Sequence, residues 1–106
     1  MKTLVDVLVE ARSLIECPRW WTRDDLARDC NGVRVNPSGP RAYCWCALGA
    51  IVRAAGPGLS QRRAAALLFR RVIDGDIVTF NDASNHAEVL AKFDEAIALA
   101  KAEVSA

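Results

Sequence analysis

The sequence predicts an all-α fold, a compact bundle of about five helices around a buried central helix, with room for one minor extended segment. Three observations carry this. Apolar residues recur at helical spacing at both ends of the chain, as Leu4, Leu8, Ala11 and Ile15 and again as Val89, Phe93, Ala96 and Ala100. Capping residues precede both runs. The stretch at residues 42–55, AYCWCALGAIVRAA, carries a single charge and has apolar residues on every side of a helical wheel, as expected of a helix enclosed by others.

The first helix is predicted over residues 4–16 from a Thr3 cap. Val5, Val7 and Val9 alternate as a strand would, but Asp6, Glu10 and Arg12 interrupt the alternation while Leu14 and Ile15 extend the helical stripe. Pro18 ends it. Thr22 with Asp25 resembles a capping box, so a short helix is expected over residues 23–29. Residues 31–40 are dense in Asn, Gly, Pro and Ser, the chemistry of a loop with space for a small hairpin turn. The central helix over residues 42–55 stops at Gly56, Pro57 and Gly58. Ser60 is read as the cap of the next helix, with Ala64, Leu67, Leu68 and Val72 facing inward and Arg62, Arg63, Arg70 and Arg71 mostly elsewhere. After a turn around Gly75, Ile77, Val78, Thr79 and Phe80 read as extended, and Asn81 and Asp82 as the following turn and part of the last cap. The last helix starts from an Asn85 and Glu88 capping box and carries the stripe Val89, Leu90, Phe93, Ala96, Ile97, Ala100 and Val104. Leu48 and Phe93, on the most apolar helices, are expected to share the core.

Composition narrows the function classes. The 106 residues are 52% hydrophobic and 25% charged with six Gly and four Pro, a globular balance that predicts a single helical domain over residues 1–106. A net charge of +1 supplies no overall field to draw the protein onto nucleic acid or anionic lipid. Asp6, Glu10 and Arg12 break the N-terminal apolar run before a secretion signal can form, which predicts a cytoplasmic location and no membrane partner. Reduced thiols are then expected at Cys17, Cys30, Cys44 and Cys46, with a bridge from Cys17 to Cys30 or Cys44 left open.

The motifs in chain order are WW at Trp20 and Trp21, YCWCALGAI at residues 43–51, FND at residues 80–82 and HAEVLAKFDEAI at residues 86–97. Their order resembles a family of small uncharacterised bacterial and phage proteins that share a tryptophan after the first helix, a C-A-L-G-A helix and an N-D turn before a terminal E-V-L helix. The resemblance implies a compact helical fold and brings no chemistry with it.

Four constellations could carry chemistry. Cys46 lies near the start of the central helix, where the dipole would lower a thiol pKa; His86 is the only available base, and Asn81, Asp82 or Asn85 could orient it. The competing reading, a small core cysteine and a polar first-turn histidine, is preferred because no hydrolase signature surrounds either. The cysteines and His86 outnumber the four ligands of a structural zinc, but Cys44 and Cys46 are one residue apart where zinc pairs are C-x2-4-C, so no metal is expected. Arg62, Arg63, Arg70 and Arg71, with Arg19, Trp20 and Trp21, form a modest basic and aromatic patch that would serve nucleic acid, or would simply be solvated or paired with Asp24, Asp25 and Asp74. Trp20 and Trp21 are adjacent, so only one readily enters the core; the other, within Arg19, Trp20, Trp21 and Arg23, is a candidate interface anchor, or both rings simply cover the exposed side of a small core.

The expectation that follows is a non-enzymatic protein without cofactor, its oligomeric state open with a monomer favoured, that binds and modulates a protein or protein complex, inhibition by a phage-type anti-CRISPR inhibitor being one concrete form. A Cys46 and His86 hydrolase or transferase is the alternative, and a nucleic-acid-binding regulator built on the arginines is the third reading.

Overall fold

The computed structural model describes the backbone of residues 2–105 and the side chains through Glu103; Val104 of the expected terminal stripe lies outside the described side chains. Thr3 caps α1 (Leu4–Leu14) as its sequence predicts, accepting the Asp6 amide while the Asp6 carboxylate accepts the Thr3 amide. Val7, Leu8 and Ala11 bury one face of α1. A single 3-10 turn (Pro18–Trp20) follows.

The helix expected over residues 23–29 does not form. Thr22 gives its hydroxyl to the Arg23 carbonyl instead of capping, Asp24 turns to a φ of 72°, and its amide donates to the Asp82 carboxylate at 2.9 Å. The chain emerges as β1 (Ala27–Arg28), antiparallel to β2 (Cys44–Trp45) with Ala27 opposite Trp45 and Arg28 opposite Cys44. Between them the polar loop makes its small hairpin turn, where the Asp29 amide donates to the Val33 carbonyl and Arg28 bridges Arg34.

Pairing with β1 also corrects the start of the central helix. Residues 42–46 are not helical, and α2 is Ala47–Ala55, with Cys46 as its N-cap and Gly56 as its C-cap at a φ of 66° that suits glycine. It packs against α1, α3 and α4 and buries Ala47, Gly49, Ala50, Ile51 and Ala54. α3 (Leu59–Arg70) starts from Gly58, not Ser60, and buries Ala65, Leu68 and Phe69. Leu67, expected inward, is 55% exposed because Phe69 takes the core-facing arc.

The run at residues 77–80 is helical and not extended. Asp76 accepts both the amide and the hydroxyl of Thr79 at 2.8 Å and so nucleates α4 (Ile77–Ala83) despite its β-branched residues. α5 (His86–Ser105) starts from the Asn85 and Glu88 capping box and buries Val89, Phe93, Ala96 and Ala100. Phe69 lies at the centre, 4.6 Å from Phe93 and 6.2 Å from Phe80 between ring centroids. Phe93 is fully buried, and Leu48 packs half-buried at the edge of the same cluster. The protein is thus a compact, mostly helical bundle around α2, with one two-stranded ribbon. Among the described residues no helix is long and apolar enough to cross a membrane.

Candidate binding site

Where α2 begins, three segments distant in sequence meet on one side chain. Asn81, fully buried on α4, accepts the Trp21 indole N–H at 2.7 Å and the Ala47 amide at 2.9 Å on Oδ1, and donates from Nδ2 to the Thr22 carbonyl and the Asp82 carboxylate at 3.1 Å each. Its expected role as a turn and cap residue is therefore corrected: it ties α4 to the α2 N-terminus and to the Trp21 segment. Gly49 lies against the same segment, where an added Cβ would overlap the Leu26 carbonyl oxygen.

The Cys46 and His86 pair is not assembled there. Cys46 is 2% exposed, its Sγ accepts the Gly49 amide at 3.3 Å, and burial pushes the thiol up from its ordinary value, opposite to the lowering expected at a helix start. His86 gives its Nε2 hydrogen to the Ile15 carbonyl at 2.6 Å, and its ring lies 5.7 Å from that of Trp21. Asn81 and Asp82 bond to other groups, Asn85 caps α5, and among the described residues no hydrogen bond joins Cys46 to His86. No group of three or more His, Cys, Asp or Glu side chains among the described residues could hold a metal ion, and all four cysteines are unbridged.

Neither of the adjacent tryptophans is fully buried, Trp21 packing partly buried against the core and Trp20 standing exposed. Trp21 is half-buried on Asn81, with the Arg23 guanidinium 4.9 Å from its ring centroid and donating from Nε to the Ser84 carbonyl at 3.1 Å. Arg23 is therefore committed internally. Trp20 stands 37% exposed at the end of the 3-10 turn, with Arg19 exposed beside it and in no ion pair among the described residues. The backbone bridge of Trp21 to Trp45 brings Trp20 to the ribbon, where it shares a hollow of about 330 Å³ with Glu10, Ser13, Leu14, Tyr43 and Trp45. Tyr43 is 40% exposed, while Trp45 is buried and held by its indole N–H on the Pro37 carbonyl at 3.0 Å. Glu10, the one charged side chain among the described residues lining the hollow, meets Lys2 at 2.8 Å and remains about half exposed.

The arginines of α3 differ in their surroundings. Arg62 and Arg63 lie in its first turns and Arg70 and Arg71 follow two turns on, about 12 Å along the axis. Arg71 pairs with Glu103, Arg63 and Arg70 are exposed and in no ion pair among the described residues, and Arg62 is half-buried. Asp25, a suggested partner, instead holds Arg28 at 2.7 Å and Arg34 at 2.6 Å.

Residues 1–99 match the model of a family of unknown function, DUF6197. The chain belongs to this family. No curated protein and no solved structure matches it. In this DUF6197 chain, sequence reasoning reached Trp20 but missed Tyr43, Trp45 and Glu10, its partners in the hollow. The available signal was the alternation of Tyr43 and Trp45 around Cys44, a period of two that the uniformly apolar helical wheel concealed.

Proposed function

We propose that this DUF6197 protein is a non-enzymatic binding protein whose Trp20 hollow receives a basic side chain of a partner protein. The observation that carries the reading is three aromatic walls, Trp20, Tyr43 and Trp45, beside the half-exposed carboxylate of Glu10. Aromatic faces attract guanidinium and ammonium groups, and the half-exposed Glu10 carboxylate, which such a group would share with Lys2, disfavours an acidic occupant. A cytoplasmic phage-type inhibitor covering the basic, nucleic-acid-binding face of a CRISPR effector is one concrete form of such a partner relation. The buried, hydrogen-bonded state of Cys46 supports a binding role over the hydrolase alternative.

Titrating the protein with an arginine-containing model peptide and a glutamate-containing one, followed by the indole N–H resonances, tests the occupant. Trp20 is expected to shift saturably with the first peptide only, and Trp20→Ala to weaken the interaction about thirtyfold, as for a buried interface anchor of about 2 kcal/mol. Equal response to both peptides, or full binding by a folded Trp20→Ala, places the interface elsewhere.

A further inference from the structure

The C-terminal end of α2, the first turn of α3 and the turn at residues 36–39 enclose a larger hollow of about 600 Å³, walled by Asn36, Ser38, Val52, Arg53, Pro57 and Arg62. No residue lines both this hollow and the Trp20 one. Its charged walls are Arg53 and Arg62, and no carboxylate is among the described residues lining it. Neither arginine forms an ion pair among the described residues.

The polar walls supply donors. Arg53 is fixed in place, its Nη1 donating to the Gly39 carbonyl at 2.8 Å and to the Pro37 carbonyl at 3.4 Å and its guanidinium lying 5.7 Å from the Trp45 ring centroid, which leaves Nε and Nη2 without a partner among the described residues. Arg62 Nε is buried with no hydrogen-bond partner among the described residues. The Asn36 Oδ1 accepts the Ser38 amide at 2.8 Å, and its NH2, which bonds to no group among the described residues, is a further donor. α3 sharpens the imbalance: its Gly58 N-cap provides no side-chain cap, its first turn holds no acid, and Arg62 and Arg63 stand at the end where the helix dipole disfavours cations. Two guanidiniums unpaired beside a concave surface lower their energy by taking an anion.

We propose that this hollow is a binding site for a small phosphorylated molecule, its phosphate monoester held between Arg53 and Arg62. A phosphate monoester presents three terminal oxygens and close to two charges, enough to engage both forks together with Ser38 and Asn36, whereas a carboxylate satisfies one fork. The volume lies within the roughly 300–1,000 Å³ of small-molecule sites. A nucleic-acid backbone fits the arrangement less well, because Arg62 faces a hollow instead of continuing a stripe with the exposed Arg63 and Arg70.

The test is titration of the full chain with inorganic phosphate, a nucleoside 5′-monophosphate, acetate and a short single-stranded oligonucleotide, read by amide resonances of Ser38 and Gly56. Saturable shifts are expected with phosphate and more strongly with the nucleotide, with acetate at least about tenfold weaker. Arg62→Gln is expected to weaken nucleotide binding about tenfold or more, and Arg63→Gln to leave it within about twofold, since only the first loses a charge-assisted contact. Arg62→Lys, which keeps the charge but not the fork, gives a second variant and is expected to weaken binding in the same direction. Absence of saturable shifts, acetate binding as tightly as phosphate, or nucleotide binding unchanged in folded Arg62 variants each overturns the site. An oligonucleotide that binds more tightly than the nucleotide and depends on Arg63 and Arg70 overturns it in favour of a distributed basic surface.

Discussion

The two ends of α2 handle polar groups in opposite ways. At its N-terminus the polar groups close on one another: Asn81 uses both its oxygen and its nitrogen, Cys46 accepts the Gly49 amide, and Asp82 takes the Asp24 amide. At its C-terminus Arg53 and Arg62 line a hollow with no opposing charge among its described walls. A polar cluster whose members satisfy each other has no surplus attraction for a ligand and serves to fix geometry. One whose charges lack partners holds interaction energy in reserve. The same contrast separates the adjacent tryptophans, since the Trp21 indole is committed to Asn81 while Trp20 faces an open hollow.

The largest expected effect breaks the closed end. Gly49→Ala drives a Cβ into the Leu26 backbone, which cannot yield as a side-chain tip could, and should destabilise the fold by about 3 kcal/mol or more in denaturant unfolding. A variant as stable as the parent would show that this junction is loose.

Next, Asn81→Ala leaves the Trp21 indole and the Ala47 amide without their shared acceptor, a loss of about 2–4 kcal/mol if each stranded donor contributes its usual share. Arg62→Gln at the open end is expected to change stability by less than about 0.5 kcal/mol, because it breaks no internal ion pair. Comparable losses for the two would erase the distinction between the ends.

A smaller effect comes from Cys46. Burial raises its folded-state pKa above the ordinary 9.0, so the unfolded chain releases the thiol proton first and stability should fall as pH rises past 9. Melting curves in that range should decline less steeply for Cys46→Ser, and alkylation under native conditions should mark exposed Cys30 well before Cys46.

The smallest effect lies at the exposed caps. The Thr3 amide holds the Asp6 carboxyl, and the Thr79 amide that of Asp76, below the ordinary 3.8. Both contributions are present above that value and are lost as pH falls through the lowered one, so Asp6→Asn and Asp76→Asn should each lower the melting temperature slightly at pH 7 and leave it unchanged under strong acid.

What the amino-acid order determined by itself is local. Thr3 with Asp6, Asn85 with Glu88, and Gly56 act within a few residues, so the starts of α1 and α5 and the end of α2 were legible without the rest of the molecule. The apolar stripes of α1 and α5 were legible for the same reason, because a helix defines its own faces. The Asp76 and Thr79 cap was also present in the sequence, unread in front of an apolar run whose β-branched residues suggested an extended segment. Tertiary structure decided the remainder. Residues 23–29 had a local capping pattern, yet Asp82 and Cys46, far along the chain, bond their backbone in an irregular path. Residues 44–45 became a strand only because Ala27 and Arg28 supplied the second edge. Both candidate hollows are of this kind: Trp20 meets Glu10, Tyr43 and Trp45, and Arg62 meets Asn36 and Arg53, only after distant segments pack. A cap is satisfied by neighbours in sequence, whereas a hollow is the space left between elements, and no single segment encodes its shape.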